Sequence, residues 1–280
     1  MSGAASGQGA APYRLGLAGC GKMGSAMVRA WLDSGLAQTI DICDPHGFPE
    51  EFVSAAAIRY CAGDSGFLDR APTWDALIVA IKPQGLDEFC ESVKLRLPPA
   101  LPVLSIAAGR TIGSFQKYFG ASHPVIRSMP NTPAAIGKGI SVAVAAESVT
   151  GGQKRIAENL LAALGHVEWA EDESLMDAVT ALSGSGPAYL FYMIEAMAKA
   201  GEQAGLEKDF AMRLARRTVI GAAALAEDMA EDPAALLREN VTSPNGTTEA
   251  ALGVLMDGRL QAVMNETLAA AVRRSKELSS

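Results

Sequence analysis

This 280-residue chain is poor in histidine and lacks paired cysteines and long apolar runs. Its three histidines, His46, His123 and His166, lie far apart, with no cysteine or carboxylate at ligand spacing, which argues against a metal site. The four cysteines, Cys20, Cys43, Cys61 and Cys90, show no paired spacing and fall mostly in apolar contexts. Reduced, buried thiols are therefore expected rather than a disulfide framework. No apolar stretch approaches the roughly 18 residues needed to cross a bilayer. Excess positive charge is missing too. A net charge of −7 disfavours nucleic acid and anionic membranes as partners, because both present negative charge. The opening MSGAASGQGAAP has neither a basic cluster nor a sustained apolar core, so residues 1–12 read as a loose tail rather than a signal peptide. A cytoplasmic, metal-free protein is expected.

What is present is a globular composition, 49% hydrophobic and 20% charged. Up to about residue 170, compact apolar runs alternate with amphipathic stretches. Strands are expected at Arg14–Ala18, Thr39–Cys43, Ile58–Cys61, Leu77–Ile81, Val103–Ala107, Val125–Met129, Ile140–Ala145 and His166–Trp169. Such largely apolar runs suit a sheet covered on both faces. Between the first two, Met23, Ala26, Met27, Ala30 and Trp31 make one helical stripe. Strand–helix–strand alternation points to parallel βαβ units. After Trp169 the strand-like runs vanish, and an alanine-rich helical pattern continues to the end. The expected division is a first domain over 13–173 and a helical one over 174–280, with Ser174 as the N-cap of its first helix.

The run RLGLAGCGKMG places Gly19, Gly21 and Gly24 in G-x-G-x-x-G spacing, after a strand and at the mouth of a helix. In that position the first glycine allows the tight turn and the second admits a pyrophosphate to the backbone. The third lets helix pack on strand, with phosphate on the positive helix end. Dinucleotide binding follows, with Gly19, Cys20, Gly21, Lys22, Met23 and Gly24 as the loop. Asp44 ends the second strand, where a carboxylate can accept from ribose hydroxyls and favour NAD over NADP. It can equally open a turn with Pro45, and His46 could face a 2′-phosphate. In VAIKPQ, the residues Ala80, Ile81, Lys82 and Pro83 close the fourth strand at the end where α/β sheets bind ligands. Lys82 could also be a solvated lysine before a proline turn.

Two polar helix entrances mark the second half. ALSGSGPAYLF interrupts a helical pattern, with Pro187 fit to begin a new helix. Ser185 and Gly186 could leave N–H groups free for an anion, or the glycines could simply permit a kink between packed helices. VTSPNGTTEAAL repeats the device. Asn245 and Gly246 make a turn, and Thr247 or Thr248 is expected to cap the following helix. A cap needs one hydroxyl, whereas Ser243, Thr247 and Thr248 offer three, enough for a small carboxylate and a second polar atom.

The segments GCGKMG, IKPQ, SIAAGRT, MPNTPA, TALSGSGPAY and SPNGTTEAAL, in that order from Gly19 to Leu252, resemble the pyrroline-5-carboxylate reductase family. The last two are far more specific than the glycine loop. One departure is visible: the family usually carries glycine where this chain has Asn245, and asparagine tolerates the left-handed backbone that such a turn needs. The resemblance implies an α/β fold, a Rossmann-type doubly wound sheet followed by an all-helical dimerisation domain. It also implies reduction of L-1-pyrroline-5-carboxylate to L-proline with NADPH or NADH, by a homodimer of a kind that often assembles into rings. Carried onto this chain, Thr248 would hydrogen-bond the substrate ring nitrogen and serve as the catalytic residue. Backbone at Gly246 and Thr247 would take the carboxylate. Asn240, Lys82, Ala107 and the Met129–Thr132 loop with Asn131 would line the cofactor. A β-hydroxyacid dehydrogenase is disfavoured, because its alcohol-activating lysine slot holds Leu190 and its asparagine slot Ile194. A non-catalytic dinucleotide sensor is the alternative of another class, and turnover separates the two.

Overall fold

A computed structural model describes residues 12–279 apart from Phe48 and Ala62. All but Pro12 of the expected tail lies outside the described residues. Eight strands form one sheet: β1 (Tyr13–Ala18), β2 (Ala37–Cys43), β3 (Ile58–Cys61), β4 (Ala76–Val79), β5 (Val103–Ser105), β6 (Val125–Pro130), β7 (Gly139–Ala145) and β8 (Gly165–Trp169). Each matches an expected strand to within two residues at either end. Their order is β3-β2-β1-β4-β5-β6-β7-β8. Neighbours run parallel except β6 and β7. The exception has a simple cause. Only a 3₁₀ turn, Thr132–Ile136, joins β6 to β7, too little chain for a crossover to a parallel position.

The helices of this part are α1 (Lys22–Asp33), α2 (Asp64–Leu68), α3 (Pro83–Val93), α4 (Ile112–Phe119), α5 (Gly151–Ala162) and α6 (Met176–Val179). On one face of the sheet, Met27, Val28 and Trp31 of α1 and Leu160 and Leu161 of α5 pack on Leu15, Leu17, Ile40, Ile42 and Ile78. On the other, Phe67, Leu86, Phe89 and Phe115 pack on Leu77, Val79, Val103 and Val125. Alternate residues of each strand thus feed opposite cores, and every fully buried Leu, Ile or Phe contributes about 1.5–3 kcal/mol. Trp31 is fully buried and its indole N–H donates to the Leu160 carbonyl at 2.8 Å. The buried Asp41 carboxylate accepts from the Trp74 indole at 2.7 Å, with Arg70 at 3.6 Å as its counter-ion. Gly16 is required there, since a Cβ would stand 2.6 Å from the Trp74 ring.

The remaining helices are α7 (Gly186–Gln203), α8 (Lys208–Asp228), α9 (Ala234–Asn240), α10 (Thr247–Leu255) and α11 (Arg259–Ser279). The chain forms two compact units: one contains residues up to Gly184 together with those from Val272 onward, the other Ser185–Ala271. The compact units thus change over at Gly184, further along the chain than the expected boundary after Glu173. The physical reason is that the intervening segment is bound into the sheet unit. Met176 lies fully buried in its core, Glu173 accepts from the Ile112 N–H at 2.8 Å, and the same carboxylate holds buried Arg127 at 3.0 Å. Near the chain end, Ser275 donates to Asp177 at 2.6 Å. Ser174 is not a helix cap; Asp172 takes that role, accepting the Ser174 N–H at 2.8 Å.

Candidate active site

The strand order reverses between β1 and β4, and the loops leaving their carboxyl ends meet there, at the position where open α/β sheets bind ligands. Gly19 leaves β1 with φ +91°, and a Cβ on it would lie 2.7 Å from the Ala80 carbonyl oxygen. A Cβ on Gly24 would meet the Gly19 carbonyl at 2.5 Å. Gly21 differs: a Cβ there would meet nothing within 4 Å. The outer two glycines are thus demanded by backbone against backbone, while the middle one leaves an open face at the start of α1. No side chain caps that helix, and no acidic residue lies in its first turn. Its leading N–H groups and positive end suit a pyrophosphate.

Asp44 stands beside this turn. One carboxylate oxygen accepts the Cys20 N–H at 2.6 Å, the other accepts the His46 N–H at 2.8 Å, and Tyr60 donates to its carbonyl at 2.8 Å. Cys20 itself is buried, and burial pushes its thiol pKa up, against a weaker downward pull from the Ser25 hydroxyl. It remains a thiol and packs the turn.

β4 ends at Val79, so Ala80, Ile81 and Lys82 lie in the loop beyond it, with Lys82 as the N-cap of α3 and Pro83 as its first residue. β5 likewise ends at Ser105, and buried Ala107 lies past it, its N–H donating to the Ser105 hydroxyl at 3.2 Å. Arg110 ties these two loops together. Its guanidinium donates to the Pro83 carbonyl at 2.8 Å and to both oxygens of Asp87 at 2.8 and 3.1 Å. That guanidinium, helped by the Tyr118 hydroxyl, holds the Asp87 carboxyl below its ordinary pKa. Arg110 belongs to SIAAGRT, one of the segments that carry the family resemblance, yet nothing in its local spacing signals this brace. Asn131 is already committed at both ends: it donates to the Ser183 carbonyl at 3.1 Å and accepts the Ile140 N–H at 2.9 Å.

Ser183 belongs to a π-helical turn, Thr180–Gly184, with α7 beginning two residues later. The hydroxyls of Thr180 and Ser183 donate back to carbonyls four residues earlier, at 2.7 and 2.9 Å. The interrupted pattern ALSGSGPAY thus contains a widened helical turn, a feature frequent at functional sites. Ser185 and Gly186 follow it, half-buried, at the start of α7.

In the second unit, Asn240 closes α9 and is exposed, while Ser243, Gly246, Thr247 and Thr248 form the entrance to α10. Asn245 takes the left-handed backbone, φ 59°, as its tolerance for that region allows. The expected threonine cap is not made. Gly246 is the N-cap, and no side chain accepts from the first turn. The turn closes instead through backbone, Gly246 N–H to the Ser243 carbonyl at 3.0 Å, and the Glu249 side chain reaches back to the Asn245 N–H at 2.6 Å. Both threonines fall one and two positions too late to cap. Their hydroxyls, and that of Ser243, make no hydrogen bond among the described residues. Gly246 has to be glycine, as a Cβ would meet the Ser243 hydroxyl at 2.5 Å.

Fold and glycine turn together define a dinucleotide-binding protein of the Rossmann class with a helical second unit. Residues 173–278 match the family model for pyrroline-5-carboxylate reductase dimerisation. The chain is 42% identical to the pyrroline-5-carboxylate reductase of Pseudomonas aeruginosa over 73% of its length and 75% of that protein's. Among solved structures, it resembles a pyrroline-5-carboxylate reductase from Coxiella burnetii with a TM-score of 0.89 and 34% identity, covering 96% of this chain and 100% of that one. The Plasmodium falciparum pyrroline carboxylate reductase, solved with NADP bound, gives 0.79 at 25% identity over 96% of this chain and 98% of its own. The chain belongs to the pyrroline-5-carboxylate reductase family.

Proposed function

We propose that this protein reduces L-1-pyrroline-5-carboxylate to L-proline with NADPH or NADH, the last step of proline biosynthesis. The observation that carries the reading is the uncapped, hydroxyl-rich entrance to α10 in a chain whose relatives are reductases of this name. The cofactor's reduced nicotinamide supplies hydride to the carbon of a C=N bond. The protein's own tasks are holding and polarising. Gly19, Cys20, Gly21, Lys22, Met23 and Gly24 receive the pyrophosphate at the open start of α1. Ala80–Pro83, Ala107 and Asn131 border the rest of the cofactor, Asn131 by fixing its loop.

The N–H groups at Gly246 and Thr247 take the substrate carboxylate, with Ser243, Ser185 and Gly186 completing the substrate's polar surroundings. The Thr248 hydroxyl, which serves no cap, hydrogen-bonds the ring nitrogen and makes the adjacent carbon more electrophilic. A cyclic imine can collect its proton from water, so no acid of shifted pKa is demanded. Orientation carries most of the rate enhancement. The working form is a homodimer, with dimers joined into a ring, in the cytoplasm. The test is cofactor oxidation with pyrroline-5-carboxylate, followed by loss of nicotinamide absorbance and proline formation. Proline-forming turnover supports the reading, and cofactor binding without turnover would replace it with the sensor.

A further inference from the structure

Two hydrogen bonds lock the glycine turn to the end of β2, and two more hold Asp44 in place there. Gly19 N–H donates to the Cys43 carbonyl at 2.8 Å, and the next N–H, that of Cys20, donates to the Asp44 carboxylate at 2.6 Å. The second carboxylate oxygen accepts from His46, and the Tyr60 hydroxyl clamps the Asp44 carbonyl. Asp44 is therefore fixed in position and direction, bonded to the residue just ahead of the N-cap of the helix that receives the pyrophosphate. In a sheet of this order the adenosine ribose lies between that helix and the end of β2.

Each carboxylate oxygen has about two acceptor sites, of which the backbone takes one. Acceptor capacity thus remains for a ribose 2′-hydroxyl, which donates. A 2′-phosphate carries a charge of about −1.5 to −2 and donates next to nothing at neutral pH. The loop after β2 offers it no permanent cation, only the His46 imidazole. From Asp44 to Ala57 the chain contains no lysine or arginine, while Glu50 and Glu51 add negative charge. Arg29 is engaged by Glu51 at 2.5 Å and Arg70 by Asp41 at 3.6 Å.

We propose that Asp44 makes this enzyme select NADH over NADPH, through a carboxylate that the glycine turn itself holds at the ribose 2′ position. The choice of cofactor class rests on the reductase reading, but the test does not depend on turnover. Calorimetric titration with ADP-ribose and with 2′-phospho-ADP-ribose would be run on the wild-type protein, Asp44→Asn and Asp44→Ser. Alongside, kcat/KM would be measured for NADH and NADPH. The wild type is expected to bind ADP-ribose at least about tenfold more tightly than its 2′-phosphorylated counterpart, near 1.4 kcal/mol, and to favour NADH in the same sense. Asn keeps an acceptor for Cys20 yet removes the charge, so it should narrow the ratio, and Ser should narrow or invert it. A brace with no role in selection would weaken both ligands equally and leave the ratio unmoved; that result, or wild-type preference for the 2′-phosphate, overturns the proposal. Selective binding without proline-forming turnover would leave Asp44 as the selector and remove only the reductase reading.

Discussion

The two units of this chain are built on opposite terms. In the sheet unit, strands send alternate side chains into two cores, and Trp31, Phe67 and Phe115 are fully buried. In the helical unit, Phe191 is 61% exposed, Tyr192 71% and Val254 63%, while the buried hydrophobics among its described residues are alanines, Ala198, Ala211 and Ala215. Such exposure of large apolar side chains is unusual for a surface that stays in water. The sheet unit encloses most of its large hydrophobics by itself, with Leu95 and Ile136 among the exposed exceptions. The helical unit carries the family's dimerisation match, and its apolar groove between α7 and α8, lined by Phe191, Ile194, Met212 and Ile220 with Glu195 and Arg216 at hand, needs a second surface.

That contrast can be broken most sharply with one kind of substitution placed in both units. Phe115→Ala opens a cavity in a closed core and should cost about 3–5 kcal/mol, read as a fall in the urea midpoint at every protein concentration. Phe191→Ala should behave differently, lowering Tm chiefly at low protein concentration, because its partner atoms are supplied by association. A concentration-independent loss at Phe191 equal to that at Phe115 would mean that the helical unit closes its own core. Next in size is Phe191→Glu. A charge placed in an apolar interface should raise the dimer dissociation constant by about 100-fold, close to 2.7 kcal/mol, measured by sedimentation. An unchanged dimer would move the interface elsewhere.

The same contrast governs how much of the fold and site is legible in the sequence. All eight strands are legible, because a strand buried on both faces leaves a compact apolar run and turn residues separate the runs. The glycine turn is legible because its chemistry is local. In the helical unit the helices are visible, but not what their apolar stripes face, since the answer lies outside one chain. Hydrogen bonds between distant positions leave no periodicity to detect. Asp44 to Cys20, Arg110 to Pro83 and Asn131 to Ser183 are of this kind, and each shows a brace where local spacing or the family resemblance points to a ligand contact or to nothing. The caps mislead for a subtler reason. Several hydroxyls or carboxylates near a helix start compete, and backbone geometry, with Asn245 left-handed and Gly246 extended, decides against the threonines.

A smaller effect tests that last point. If the Thr248 hydroxyl serves substrate and not the helix, Thr248→Ala should lower kcat about tenfold or more, near 1.4 kcal/mol, while helix content and Tm stay the same. Unchanged kcat and KM would remove Thr248 from the site. A lowered Tm with unchanged kcat would make it a structural residue after all.

The smallest effect is one of pH, and it too separates the units, because all three histidines lie in the sheet unit. His123 is buried against the Phe119 ring, with ring centroids 5.2 Å apart, and its Nε2 has no hydrogen-bond partner among the described residues. Burial pulls its pKa below the ordinary 6.5, only partly opposed by a hydrogen bond to the Leu101 backbone. The unfolded chain therefore binds a proton at a pH where the folded chain still does not. Between the two pKa values stability must fall as pH falls, while above about 6.5 this residue contributes no pH dependence. Below the folded pKa the loss is complete and the slope vanishes again. Urea midpoints measured from pH ~7.5 downward should show that slope in the wild type and a flatter profile in His123→Phe, where nothing titrates. Parallel profiles would place the acid sensitivity outside His123. A steeper loss in the helical unit would contradict the assignment of this titration to the sheet unit, since that unit has no imidazole to protonate.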